Sequence, residues 1–404
     1  MRIVIVGGGA SGMMCAIAAA KFGSDVTLLE KNEKLGKKIY ITGKGRCNVT
    51  NFCSAQEFLN NVVSNEKFLF SAINKFSPYD TYDFFQNYLP LKIERGNRVF
   101  PESDKSSDVI KSLEKAMTEY GVKVVLNCCV NAVKGTEFDY KIYTDCGEYV
   151  ADRVVIATGG KSYPSTGSTG DGYKIAKSFG LKLIDPKPAL CPIITKQAVK
   201  EIEGITLKNV ELSAYSNGKL IRKEFGEMLF TANGVSGPIA LTISSFINRK
   251  KNVLLKLDFK PALNFETLDA RIVRELNDPN RKVLKSVMRS LLPERLVRYL
   301  LRICNLSGDK PTSQVTKSDR ICIVNTLKGL EFDVQSLAPF EQAIITSGGI
   351  AVDELTPQME SRKHKGLFFV GETVDVDALT GGFNLQIAFS TGYVAALKAS
   401  QVKG

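Results

Sequence analysis

Hydrophobic and polar positions along the chain follow two periods, and they change places in a definite order. Ile3 to Val6 is a β-branched run of the kind a buried parallel strand needs. A small-residue apolar stretch, Met13 to Lys21, follows at helical spacing, and Asp25 to Leu29 reads as a second strand. Phe68 to Leu89 and Asp108 to Tyr120 are predicted helices. Val122 to Leu126 and Val130 to Val155 read as strands turning at Gly135 and Cys146-Gly147, and are expected to form one small antiparallel sheet. VVIATGG (154–160) and GLFFVGE (366–372) are apolar strands closing on glycine, and Asn384 to Lys398 is a helix of small and apolar residues. Between them, from about Ala189, the pattern changes to short strands (ALCPIIT, GITLKNVELSAYS, KLIRKEFGEMLFT, KNVLLKLDF), as in an antiparallel β-unit or barrel. Phe265 to Ile303 returns to helical spacing, divided at Pro293, and Leu327 to Phe340 returns towards β structure.

The first strand runs directly into Gly7-x-Gly9-Ala10-Ser11-Gly12. In such a loop the first glycine permits the tight turn, the second lets backbone approach a pyrophosphate, and the third lets helix pack close to strand. The helix N-terminus offers unpaired N–H groups and partial positive charge. The second strand ends at Glu30, 18 residues past Gly12, where a carboxylate accepts hydrogen bonds from ribose hydroxyls. The bare glycine pattern is weak. Strand, loop, helix, strand and terminal acid in register predict a dinucleotide site, and the acid disfavours a ribose 2′-phosphate, leaving FAD or NAD.

The rest of the chain separates those two. A simple NAD domain is continuous, whereas here the last strand, loop and helix lie at the far end of the sequence. The segments GGGASGMMCAIAAA, EKNEKLGKKIYITGKGRCNVTN, ATGGKSYPSTGSTGDGY, FTANGVSGPIALTIS and VGETVDVDALTGGFNLQIAFSTGYVAA resemble, in order and over nearly the whole chain, the family of NAD(FAD)-utilising dehydrogenases or aminoacetone-oxidase-like flavoproteins. That family includes bile-acid enone reductases. The resemblance implies an α/β fold: a split Rossmann-like FAD domain of the two-dinucleotide type, with an inserted β-barrel-like domain and a small helical one. Transferred to this sequence, residues 1–188 and 341–404 make the FAD domain, 189–262 and 311–340 the β domain, and 263–310 the helical domain. FAD is the expected cofactor, and NAD(P)H a transient co-substrate without a Rossmann domain of its own.

Candidate cofactor contacts fall in four places. The glycine loop and Glu30 hold the nucleotide end. The stretch Lys31 to Arg46, with six Lys/Arg and one acid, offers Lys31, Lys37, Lys38, Lys44, Gly45 and Arg46 to pyrophosphate and flavin, with Cys47 and Asn48 at the isoalloxazine. By the same resemblance Gly371 with Glu372 or Asp377 would meet the ribityl chain, and Gly382, Asn384 and Leu385 the flavin O2 side, where a helix N-terminus favours negative charge at N1 and C2=O. By resemblance the Val130 backbone lies at the adenine. The loop GGKSYPSTGSTGDGY, starting at Gly159, has a second glycine pattern, but no apolar strand leads into Gly167, so it reads as a turn shaping the pocket rather than an NAD(P)H site. Flavin carries the redox chemistry itself, so no catalytic side chain is singled out. Tyr40, Lys44, Tyr163 and Tyr173 are available proton donors.

Composition narrows the partners. A chain of 404 residues with 44% apolar content is long enough for two or three domains. No apolar run approaches the ~20 residues of a membrane span, the start has no secretory pattern, and a cytoplasmic protein is expected. Nine cysteines without C-x-x-C spacing read as reduced thiols, with no metal site. The one histidine, His364, sits in the polar stretch SRKHKG and reads as a solvated loop residue. The net charge is +12, and Arg249 to Arg302 holds 14 Lys/Arg against six Asp/Glu, a local +8. That segment reads as solvated helical faces, or as an anion-binding surface. The leading reading is an FAD-dependent oxidoreductase moving hydride between flavin N5 and a small organic or steroid-like substrate, by NAD(P)H-linked C=C reduction. The alternatives are an oxygen-using amine or aminoketone oxidase, or a flavoprotein that modifies tRNA. Nucleic acid stands second because the basic segment lacks interleaved aromatic residues.

Overall fold

The computed structural model describes residues 1–401. They form two compact units, one from residues 1–189 and 340–401, the other from Leu190–Pro339.

The first unit is built on a five-stranded parallel sheet. Its order is Leu367–Phe369, Arg153–Ile156, Arg2–Val6, Asp25–Leu29 and Lys123–Val125. The register brings Val6 beside Leu29 and Ile156, and Ile156 beside Phe369. The carboxyl ends of the strands are therefore level, and the loops after them open along one edge, where ligands of open α/β sheets bind. The apolar β-branched runs are buried on both faces, as parallel strands require.

Two strands differ from the expected antiparallel sheet. Lys123–Val125 pairs in parallel with Thr27–Leu29, and Arg153–Ile156 in parallel with Ile3–Val6. The antiparallel sheet keeps only Val130–Thr136, Asp139–Thr144 and Gly147–Ala151. A short apolar run carries no record of its partner's direction, so periodicity does not separate the two sheets. The predicted helix 68–89 divides into Glu66–Lys75 and Pro78–Gln86, because Ser77 forms a capping box with Asp80 and Pro78 opens the second helix.

Helix Ala10–Lys21 lies against the terminal helix Phe383–Ala399, and close packing between them depends on small residues. A Cβ on Gly392 would stand 2.4 Å from the Ser11 carbonyl oxygen, and on the side of its own loop one on Gly12 would stand 1.9 Å from the Gly7 carbonyl oxygen. Both positions are closed to any larger residue.

The thiols are not all reduced. Cys128 and Cys146 form a disulfide, because the antiparallel sheet folds the turn at 145–147 back onto the start of its first strand. Cys129 stays a thiol. His364 is half-buried rather than solvated: its Nε2 lies 2.8 Å from the Phe179 carbonyl and its ring packs edge-on against the Phe179 ring.

In the second unit, six strands close into a barrel: Ile193–Thr195, Gly234–Ser236, Lys219–Thr231, Thr206–Ser216, Val253–Asp258 and Leu330–Leu337. Val253, Leu255 and Leu257 alternate into its core. Helices Phe265–Leu276, Leu284–Met288, Glu294–Ile303 and Lys317–Gly329 pack on the same apolar cluster as the barrel. The last of these falls in the stretch expected as β from residue 311. Its Thr316–Asp319 capping box marks the start, but only three of its residues are buried and its apolar stripe is faint. No helix among the described residues is long and apolar enough to cross a membrane.

Candidate functional site

A pocket follows the carboxyl edge of the parallel sheet. Gly7 N–H donates to the Leu29 carbonyl at 2.8 Å, which fixes the turn directly after the first strand. Gly9 begins helix Ala10–Lys21 without a side-chain cap, so its first-turn N–H groups have no intrahelical acceptor. A methyl group on Gly9 would meet no protein atom within 4 Å, and Gly9, Ala10 and Ser11 all line the pocket. The donor set suits a phosphate anion.

Glu30, buried at the end of the second strand, holds this loop in place. Its Oε2 accepts from Gly8 N–H at 2.6 Å, and its Oε1 accepts from Asn32 N–H at 2.8 Å and Asn32 Nδ2 at 2.6 Å. Three of the roughly four acceptor directions of a carboxylate are thus used, and the fourth, on Oε2, remains for a hydroxyl. Cys128, Cys129 and Val130 line the pocket beside it.

Further along, Lys38 joins the first and last parts of the sequence. Its Nζ pairs with Glu372 Oε2 at 2.5 Å and donates to Ser162 Oγ at 2.6 Å. Glu372 Oε1 accepts from Ser162 Oγ at 2.7 Å and from Thr346 N–H at 2.8 Å. Thr346 Oγ1 accepts in turn from the N–H groups of Lys161 and Ser162. The pocket ends at the terminal helix, whose N-cap Gly382 supplies no side-chain cap and whose first turn presents Asn384 and Leu385. The Asn384 side chain is occupied, accepting from Ala378 N–H and donating to the Ala378 and Leu379 carbonyls, so what it offers the pocket is backbone.

The other basic candidates on the pocket wall are also engaged. Lys31 pairs with Asp171 at 2.7 Å and donates to Thr169. Lys37 reaches Asn32 and Glu33, each at 3.3 Å. Burial raises the Asp171 carboxyl, but hydrogen bonds from Lys31, Thr169 and Lys174 outweigh it and hold the group down at about 2. The loop after Gly159 lines the same pocket through Thr166, Gly167, Ser168 and Asp171.

Several predicted residues lie off the pocket wall. Gly12 serves helix packing. Arg46 is clamped by Glu94 and Asp104 and stacks on Phe100 with its guanidinium 4.2 Å from the ring centre, so it pins its own loop rather than reaching a ligand. Lys44 is exposed, with Lys44 and Gly45 both at positive φ in the loop that Arg46 anchors. Cys47 is fully buried, and burial pushes its thiol up to about 12, which makes it a packing group and no thiolate. Asn48 Oδ1 is buried and accepts no hydrogen bond from the described residues. Gly371 N–H donates to Thr391 Oγ1, and Asp377 is buried in the short strand that pairs with Val62–Ser64. Among the tyrosines, Tyr173 is buried with its hydroxyl on the Glu372 carbonyl, Tyr40 is exposed, and Tyr163 is absent from the wall.

Sequence reasoning missed Asn32, Ser162 and Thr346, and also Thr158 on the pocket wall. Asn32 had a local signal, two residues past the acid on the loop. Thr346 had none, since its partner Glu372 meets it only through the fold.

Residues 1–398 match the family described as HI0933-like protein Rossmann domain. The chain belongs to the HI0933-like family. The TGKGRCN and TGGFN motifs led to the same group. A Clostridium scindens 3-dehydro-bile acid delta(4,6)-reductase is 31% identical, over 99% of each chain. An Escherichia coli ribosomal RNA dihydrouridine synthase is 30% identical, over 97% of this HI0933-like chain and 96% of the relative. Among solved structures, a 3-ketosteroid-delta4-(5alpha)-dehydrogenase from Rhodococcus jostii superposes with a TM-score of 0.52 at 14% identity, covering 99% of this chain and 96% of the other. At that identity the likeness is one of fold.

Proposed function

We propose that the pocket holds FAD and that the protein reduces a C=C bond conjugated to a carbonyl. The enzyme class, a flavin-dependent oxidoreductase, goes with the family. The observation that carries the reading is the continuity of the pocket, from the uncapped helix at Gly9 and the acid Glu30 to the uncapped helix at Gly382. A mononucleotide site needs one such end, and a dinucleotide uses both. Bound flavin supplies hydride from N5. The chain's own residues would do the rest: Glu30 and the glycine loop hold the adenosine and pyrophosphate, Glu372 with Lys38 and Ser162 faces the ribityl chain, and the first turn of the terminal helix faces the ring with partial positive charge.

The carbonyl-conjugated C=C is what the relatives' names have in common. A 3-oxo-4,6-dienoid bile acid and a uracil ring each have an alkene in conjugation with a carbonyl, and each becomes a better hydride acceptor when the carbonyl oxygen is hydrogen-bonded. A small steroid-like enone is the first reading of the substrate. A uracil borne on RNA is the second, favoured by the net +12 and its concentration in one segment.

Anaerobic stopped-flow absorbance of the purified protein with NADH, then NADPH, tests the reading. Loss of flavin absorbance, followed by reoxidation on adding a 3-oxo-4-ene steroid or a uridine-containing RNA, is the expected result. A colourless protein, or flavin that neither nicotinamide reduces and that amines reduce instead, would overturn it.

A further inference from the structure

Helix Glu294–Ile303 has two distinct faces. Leu296, Val297, Leu300 and Leu301 are buried in the core of the second unit, and Arg295, Arg298 and Arg302 are exposed on the other side. Residues 281–302 carry seven Lys/Arg and a single acid, Glu294. This helix, the short helix Leu284–Met288 and the turn at 305–309 enclose a groove of about 530 Å³. Lys285, Arg289, Arg298 and Arg302 line it, together with the acids Glu294 and Asp309.

The charges are not equally compensated. Lys285 pairs with Asp309 at 2.5 Å, Arg289 with Glu294 at 2.8 Å, and Arg302 with Glu201. Arg295 donates only to the Glu201 carbonyl, at 2.7 and 3.0 Å, and Arg298 forms no ion pair among the described residues. Two guanidinium groups on one helix face therefore lack a carboxylate, and the paired ones meet theirs at an exposed rim, where such pairs are weak and exchangeable.

We infer that this groove, with the exposed arginine face of helix Glu294–Ile303 beside it, is a binding surface for the phosphate backbone of RNA. Guanidinium forks match phosphate oxygens two at a time, which a lysine cannot do. From Arg295 to Arg302 is seven residues, about 10 Å of helix at roughly 1.5 Å each. That span exceeds a single phosphate and suits successive ones along a strand. An anionic bilayer fits less well, since a helix lying on a membrane needs its apolar face outward, and here that face is buried in the core. The choice of RNA over another polyanion rests on the second substrate reading above. The groove itself shares no residue with the nucleotide pocket.

Fluorescence anisotropy of a labelled uridine-rich RNA hairpin, titrated with flavin-loaded full-length protein at several salt concentrations, tests the inference. Wild type should bind with a steep salt dependence. Arg295→Glu/Arg298→Glu should weaken binding at least about 10-fold and lower the salt slope by about two, because two phosphates are no longer neutralised. Lys115→Glu, a charge reversal on helix Ser106–Glu119 of the other unit, should change neither. Flavin absorbance read in the same samples shows that each variant is folded, and a wild type without flavin would defeat the reductase reading while leaving this one standing. Equal binding by wild type and the double variant, or no binding at low salt, would overturn the inference. So would arginine-dependent binding to phosphatidylserine vesicles without binding to the hairpin, which would make the face a membrane contact.

Discussion

Replacing Glu30 with glutamine changes neither volume nor shape, so its effect can be worked from hydrogen bonds alone. Glu30 accepts three N–H groups in a nearly closed setting, two on Oε1 and one on Oε2. The amide oxygen of Gln can retain only one of these sites. Facing Asn32 it keeps two bonds, and its own NH₂ then opposes the Gly8 N–H at what was a 2.6 Å contact. One bond to a charged acceptor is lost and one donor is left against another donor, a cost of about 1.5–3 kcal/mol. If that cost falls on the nucleotide-bound conformation of the loop, FAD binding weakens about 10- to 150-fold, at about 1.4 kcal/mol per decade. The opposite flip does worse, since both Asn32 donors are then opposed. Apo-protein titrated with FAD, followed by flavin fluorescence, measures it. An E30Q protein that binds FAD within about twofold of wild type would refute the reasoning, because the loop would then not depend on this carboxylate.

Four further outcomes follow from the same geometry. Lys38→Met and Glu372→Gln should each weaken FAD binding, and a double-mutant cycle should give a coupling of about 0.5–3 kcal/mol, with strict additivity counting against a working pair. Gly392→Leu should lower thermal stability by about 1–3 kcal/mol, because a side chain there meets the Ser11 carbonyl, whereas Gly329→Ala, with open space around it, should be neutral or stabilising by up to about 1 kcal/mol in the same unfolding experiment. Asp171 is held at about 2 in the folded protein, below its unfolded value, so its contribution is complete above about pH 4 and disappears as pH falls from about 4 to 2. The stability difference between wild type and Asp171→Asn should shrink across that window, and a constant difference would contradict the assignment. Cys146→Ser, which opens a loop of 18 residues, should destabilise the antiparallel sheet by up to about 3 kcal/mol by denaturant unfolding, with no further effect of reductant on the variant.

The nucleotide end of the site was legible because its chemistry is local. Gly7, Gly9 and Glu30 lie within one strand–loop–helix–strand run, and their spacing alone carries the geometry. The far end was legible as a motif but not as a set of contacts. Glu372 could be named, yet its partners Lys38, Ser162 and Thr346 come from three separate stretches that only the fold brings together. The basic loop misled for a related reason. Composition marks Arg46 as a cation beside a glycine turn, and does not reveal that Glu94 and Asp104 have already claimed it. In the fold, the short strands at 123–125 and 153–156 could be found but not assigned to a sheet, since a four-residue apolar run pairs equally well in either direction. The Cys128–Cys146 bond was hidden by the same limit, because it depends on the return of a three-stranded sheet.

The order of the parallel sheet has a consequence for synthesis. Its edge strand Leu367–Phe369, the acid Glu372 and the helix that closes the pocket leave the ribosome long after the glycine loop. Until then helix Ala10–Lys21 lacks one of the surfaces it packs on, and the Ser11 carbonyl that Gly392 meets stays uncovered. The cofactor site is therefore completed only once helix Phe383–Ala399 has emerged. A polypeptide stalled before residue 366 would have the fingerprint of a nucleotide-binding protein and no pocket in which to use it.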